Sequence, residues 1–194
     1  MMSMAEVMHT LALKVIDFIH SPLLPATIFG ALFTLGFAPY SLFPIIFCCL
    51  YGILHLLDYA NSKKQAFLIG WFFGFAHYIS SLYWFSYALL TDAERFAWMI
   101  PFALLLIPAV LGIYTGLVTL FTFHFTSSRF QKILAFSTCW VAVEILRTYF
   151  VIPFPWNLLG HSLIADLSLA QITYYLGIIG ASFLIAFSGA LFYT

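Results

Sequence analysis

Between Phe96 and Ser128 no Asp, Glu, Lys or Arg interrupts the chain. Residues 97–125, AWMIPFALLLIPAVLGIYTGLVTLFTFHF, form one apolar run. A helix of about 20 mostly apolar residues crosses the hydrocarbon core of a bilayer. This run is longer, with room to tilt or to kink at Pro101 and Pro108. Five further runs have spanning length or nearly so: 23–38, 42–60, 65–90, 132–150 and 168–193. Only 7% of residues are charged and 64% are hydrophobic, against about 25% charged in a soluble domain. Such a chain cannot cover itself with polar surface. The expected fold is all-α, a polytopic transmembrane helix bundle of about six spans.

Residues 4–20, MAEVMHTLALKVIDFIH, carry Met8, Leu11, Val15, Phe18 and Ile19 on one helical face and Glu6, Thr10, Lys14 and Asp17 on the other. The pattern predicts an amphipathic helix over 1–20, lying either in the membrane interface or against the protein on the soluble side. The transmembrane domain then covers 21–194. No cleavable signal is evident, and the last apolar run reaches the final residues without a basic flank. Lys14, Lys63, Lys64, Arg129 and Lys132 fall on one side if the spans alternate, and Arg95 and Arg147 on the other. By the excess of Lys and Arg in cytoplasmic loops, the amino terminus is expected inside and the 151–168 loop outside.

Net charge is zero, so the basic footprint of a nucleic-acid-binding protein is missing. Cys48, Cys49 and Cys139 lie within apolar runs and read as small buried hydrophobes. The histidines show no metal-ligand spacing, and no nucleophile elbow or phosphate loop occurs. No metal or cofactor is expected. A small transporter is disfavoured, because no internal repeat or deep polar pathway is visible.

The polar residues concentrate around one feature. Trp140, Glu144 and Arg147 share a helical stripe in the run 132–150, and Glu144 and Arg147 can pair at i, i+3. Ionisable residues inside a membrane usually face a cavity or each other. One reading is an outward site where Arg147 holds an anionic headgroup and Glu144 orients it. The other is a structural ion pair that pins the following loop. That loop, FPWNLLGHS at 154–162, joins restrictive Pro155 to amphipathic Trp156, to Asn157 and to permissive Gly160. His161 belongs to it and is otherwise an interfacial polar residue. Tyr83 and Trp84, in SSLYWFSY, are either aromatic-belt residues or part of the same site. Gly70/Gly74 and Gly112/Gly116 are small-residue pairs of the kind that let membrane helices pack closely.

Taken in order, GFAPYSLFP (36–44), GFAHYISSLYWFSYAL (74–89), CWVAVEILR (139–147), FPWNLLGHS (154–162) and YYLGIIGASFLIAFSGAL (174–191) resemble the amino-terminal membrane region of bacterial apolipoprotein N-acyltransferases. The most specific part is the E-x-x-R helix followed by FPWN. The resemblance covers about 20–194, with Thr148 standing where the family commonly has glycine.

The resemblance implies a protein of the bacterial cytoplasmic (inner) membrane. It implies transfer of an acyl chain from a phospholipid donor to the amino-terminal diacylglyceryl-cysteine of a diacylated apolipoprotein, through a cysteine thioester. It also implies a Glu-Lys-Cys triad on a nitrilase-like domain that these 194 residues do not contain. No residue is therefore assigned a catalytic role, and Glu144 is not the family's catalytic glutamate. Glu144, Arg147, Phe154, Pro155, Trp156, Asn157, Gly160, Tyr83 and Trp84 are the lipid- or substrate-binding candidates. The expectation is a truncated or split acyltransferase, inactive alone and completed by a separate nitrilase-like chain. The alternative is a non-catalytic lipid-binding membrane module or inactive relic.

Overall fold

The computed structural model describes residues 21–124, 128–150 and 153–193. The amphipathic helix expected within 1–20 lies outside the described residues. Among those described, no strand forms. The helices are α1 (Leu23–Phe33), α2 (Pro44–Leu57), α3 (Lys63–Ser81), α4 (Phe85–Leu90), α5 (Ala93–Phe96), α6 (Ile100–His124), α7 (Arg129–Tyr149), α8 (Leu167–Ala170) and α9 (Ile172–Leu191). Short 3-10 turns occur at Thr34–Gly36, Ala97–Met99 and Leu159–Ala165.

Two stretches are long and apolar enough to cross a membrane, Ala93–His124 and Ile172–Leu191. Only 17% and 33% of their most apolar windows are buried, so neither is a core helix of the ordinary soluble kind. α1 and α2 are apolar but shorter. Pro101 stands in the first turn of α6, where its missing N–H removes no helical bond, while Pro108 lies inside the helix. α9 is kinked at Gly177, whose φ of 65° and ψ of 173° leave the helical region.

α3 and α7 begin with the same device. Ser62 accepts from the Gln65 amide at 3.2 Å, and Ser128 from the Gln131 amide at 3.2 Å. Both segments read Ser-x-x-Gln, a capping-box pattern, and it starts each helix two or three residues before the apolar run. The single span expected over 65–90 is divided. α3 ends at Ser81, Leu82 leaves helical geometry (φ −107°, ψ 9°), and α4 starts at Phe85. The Ser80 hydroxyl donates to the Ala76 carbonyl at 2.7 Å and the Ser86 hydroxyl to that of Tyr83 at 2.7 Å. Such back-bonding competes with the helical ladder.

The two glycine pairs face each other. A Cβ on Gly74 would lie 3.1 Å from the Gly112 Cα, and one on Gly70 would lie 2.4 Å from the Thr115 carbonyl oxygen. α3 and α6 thus meet backbone to backbone, and the Trp71 indole donates to the Ala109 carbonyl at 3.0 Å. Phe33, Phe73 and Phe136 gather around Trp140, linking α1, α3 and α7, with the Phe136–Trp140 ring centroids 5.4 Å apart.

The ends of the bundle differ. At one, Lys132 of α7 donates to Asp58 just past α2, and the Tyr193 hydroxyl beyond α9 donates to the same carboxylate at 2.7 Å. At the other lie the last turns of α3 and α7 and the loop 153–166.

Candidate functional site

Glu144 and Arg147 occupy the last turns of α7 and are 3% and 2% exposed. They do not form an ion pair with each other; each reaches the loop separately. The Arg147 guanidinium donates to the Trp156 carbonyl at 2.8 Å and to the Asn157 carbonyl at 3.3 Å. Glu144 Oε1 accepts the Leu159 amide at 2.7 Å and the Trp140 indole N–H at 3.1 Å. The stripe Trp140–Glu144–Arg147 therefore acts as a clamp on backbone. A carboxylate takes an orphan N–H and a guanidinium takes two orphan carbonyls. A buried loop requires this, since each unsatisfied backbone group would cost about 1–3 kcal/mol.

The loop is shaped to receive the clamp. Asn157 adopts a left-handed φ of 53°, which asparagine tolerates better than most residues. Its side-chain amide donates to the Ser81 hydroxyl at 2.8 Å, tying the loop to the end of α3. The Gly160 amide donates to the Ser182 hydroxyl of α9 at 2.8 Å. A Cβ on Gly160 would sit 2.5 Å from the Ile178 carbonyl oxygen, so only glycine permits that approach. The Leu158 amide donates to His161 Nδ1 at 3.2 Å. Ser81, Leu159, Ser182 and His77, discussed below, belong to this arrangement without having been singled out by the sequence. Lone serines and a backbone amide carry no spacing signal.

The remaining candidates form its outer surface. The Trp156 ring centroid lies 5.0 Å from that of Trp84, 5.4 Å from Phe85 and 5.1 Å from Phe154. Trp84 and Trp156 are 41% and 44% exposed. Tyr83 is also exposed and stands by Tyr87, ring centroids 6.2 Å apart. Pro155 is exposed at the loop's edge. All nine candidates thus belong to one end of the bundle. Glu144, Arg147, Asn157 and Gly160 hold the loop, and Phe154, Trp156 and Trp84, with Phe85, make an aromatic shelf beside it, Tyr83 standing against Tyr87 instead. Among the described residues no group of three or more His, Cys, Asp or Glu could hold a metal.

Burial, and secondarily the nearby Arg147 charge, holds the His161 imidazole below its ordinary value of 6.5. When the loop is released, the ring titrates normally. The native hold is therefore complete above about 6.5 and weakens as pH falls below it, because the released state takes up the proton first. Acidification from about pH 7.5 to about pH 5.5 should lower the protection of the Leu158 amide, its exchange rate taken relative to that of an unprotected amide at the same pH. His161→Gln, which keeps an acceptor but does not titrate, should remove that pH dependence.

The fold and site define a class: an all-helical, membrane-type bundle whose buried charged residues clamp an aromatic loop over one end. The family described as the apolipoprotein N-acyltransferase N-terminal domain matches residues 29–191, and the chain belongs to it. An apolipoprotein N-acyltransferase of Brucella melitensis is 33% identical over 173 residues, covering 84% of this chain and 32% of the relative. That of Rhizobium etli is 32% identical over 167 residues, 81% and 31% of the two chains. That of Rickettsia bellii is 29% identical over 174 residues, 90% and 34%. The chain spans about a third of the length of these relatives.

Proposed function

We propose that this chain is the lipid-receiving membrane part of an apolipoprotein N-acyltransferase. It lies in the bacterial cytoplasmic membrane, crossed about six times, with the 153–166 loop outward. Five of the seven Lys and Arg residues fall to the opposite side under alternation, which supports that orientation. The donor is a phospholipid and the acceptor a diacylated apolipoprotein. The carrying observation is the aromatic shelf of Trp84, Phe85, Phe154 and Trp156, held by the Glu144–Arg147 clamp. Exposed tryptophan and tyrosine rings at the end of a membrane bundle suit the boundary between acyl chains and headgroups. Arg147 is 2% exposed with its guanidinium committed to carbonyls. It therefore acts on lipid by holding the loop.

Acyl transfer itself is proposed to need a nitrilase-like Glu-Lys-Cys unit in addition to these 194 residues. The purified chain should not acylate a diacylated lipopeptide, and should do so when a nitrilase-like chain is supplied. Transfer by the chain alone would refute this division of labour. The lipid reading is tested with a phosphatidylethanolamine carrying a photoreactive headgroup-proximal label. Cross-links should concentrate in 83–87 and 154–158; labelling confined to other segments would overturn it.

A further inference from the structure

Beneath the clamp lies a cavity of about 20 Å³, lined by His77, Tyr78, Thr115, Glu144, Arg147 and Asn157 among others. Two of the lining residues each carry a buried polar atom with no hydrogen-bond partner, His77 Nε2 and Glu144 Oε2, the Ser182 hydroxyl standing close to the Glu144 carboxylate. They belong to different helices, and neither residue is more than 3% exposed. Both have their other functional atom engaged. His77 Nδ1 lies 3.0 Å from the Thr34 hydroxyl, and Glu144 Oε1 holds the loop.

Leaving two such atoms unpartnered would cost several kcal/mol, since each unsatisfied buried group costs about 1–3 kcal/mol. The volume selects the remedy. About one water-sized sphere, 10–15 Å³, is the minimum for an internal water, which needs two to four polar partners. The cavity has room for water. We propose that ordered water occupies this cavity and that one molecule of it bridges His77 Nε2 to Glu144 Oε2. It donates one proton to the carboxylate. With the imidazole it donates or accepts according to which ring nitrogen carries the hydrogen.

The consequence is a continuous polar line: Thr34 at the end of α1, His77 of α3, the water, Glu144 of α7, and the Leu159 amide of the loop. His77 becomes a positioning residue for a loop it does not touch. Its aromatic neighbours Phe33 and Phe37, centroids 5.1 Å and 5.2 Å away, hold its ring in place. The inference does not depend on lipid binding and stands or falls separately from it.

An experimental structure at a resolution that shows ordered water should place one within hydrogen-bond distance of both His77 Nε2 and Glu144 Oε2. Density bonded to one or neither overturns the proposal. Hydrogen exchange in lipid nanodiscs gives the second readout. His77→Phe should speed exchange at the Leu159 amide about tenfold, roughly the effect of one lost hydrogen bond. His77→Gln, whose amide can reach toward both Thr34 and the water, should stay close to wild type. Equal exchange in His77→Phe and wild type contradicts the polar line. If His77→Phe does not fold, the wild-type density alone decides.

Discussion

Replacing Arg147 with methionine should destabilise the bundle by about 3–5 kcal/mol, the cost of removing one member of a buried charged arrangement. Methionine fills similar volume, so the loss is chiefly polar. The Trp156 and Asn157 carbonyls lose their donor, and Glu144 keeps a buried carboxylate with no cation one turn away. At 2% exposure little solvent screens the change. Arg147→Lys should recover only part, because an ammonium cannot present the planar fork that spans two carbonyls. Thermal unfolding in detergent, followed by near-ultraviolet circular dichroism, reads the effect. A change below about 1 kcal/mol, the scale of an exposed ion pair, would show that the arginine is solvated and the clamp is not formed.

Gly70→Ala is the second large effect. In a helix interior this change ordinarily stabilises by about 1 kcal/mol. Here the new Cβ would fall 2.1 Å from Thr119 Oγ1 and 2.4 Å from the Thr115 carbonyl oxygen. Neither can step aside freely. The carbonyl is backbone, and the Thr119 hydroxyl is bonded to the Gly116 carbonyl at 3.1 Å. α3 and α6 must separate, and overpacking of this kind costs about 1–3 kcal/mol or more. The net sign is destabilising, by about 2 kcal/mol. Thermal melts in the same detergent would show it; a variant as stable as wild type would mean that the two helices are not in backbone contact.

Much of the helical plan is legible in the sequence because apolar runs and their short polar breaks are strong signals. The starts of α3 and α7 lie in the Ser62-x-x-Gln65 and Ser128-x-x-Gln131 caps, which precede the apolar runs and so escape a reading based on hydropathy. The break at Leu82–Trp84 escapes it as well. SSLYWFSY carries no charge, Pro or Gly to mark the break, and the serine hydroxyls on either side of it bond back to backbone. The charged residues of α7 stand out by type, but spacing alone suggests that Glu144 and Arg147 pair with each other. An i, i+3 pair on a helix surface is worth about 0.2–0.5 kcal/mol, whereas an unsatisfied buried backbone group costs about 1–3 kcal/mol. The loop's carbonyls and amide therefore take both side chains, nine to fifteen residues along the chain. No helical period encodes that reach. Nor does the sequence indicate that His77 and Glu144 line the same small cavity.

The central claim is that the clamp presents an aromatic shelf to phospholipid. Native mass spectrometry of the chain released from lipid nanodiscs measures it directly, by the fraction of protein that keeps a bound phospholipid. Covering apolar surface is worth about 25 cal/mol per Å², so losing the acyl-chain contact of two exposed indoles costs on the order of 1–2 kcal/mol, and Trp84→Ala with Trp156→Ala should lower retention about tenfold. Trp98→Ala, at an exposed indole whose N–H donates to the Arg95 carbonyl at 3.0 Å, should leave retention unchanged. Equal retention by wild type and the Trp84/Trp156 double variant, with both folded, would contradict the account.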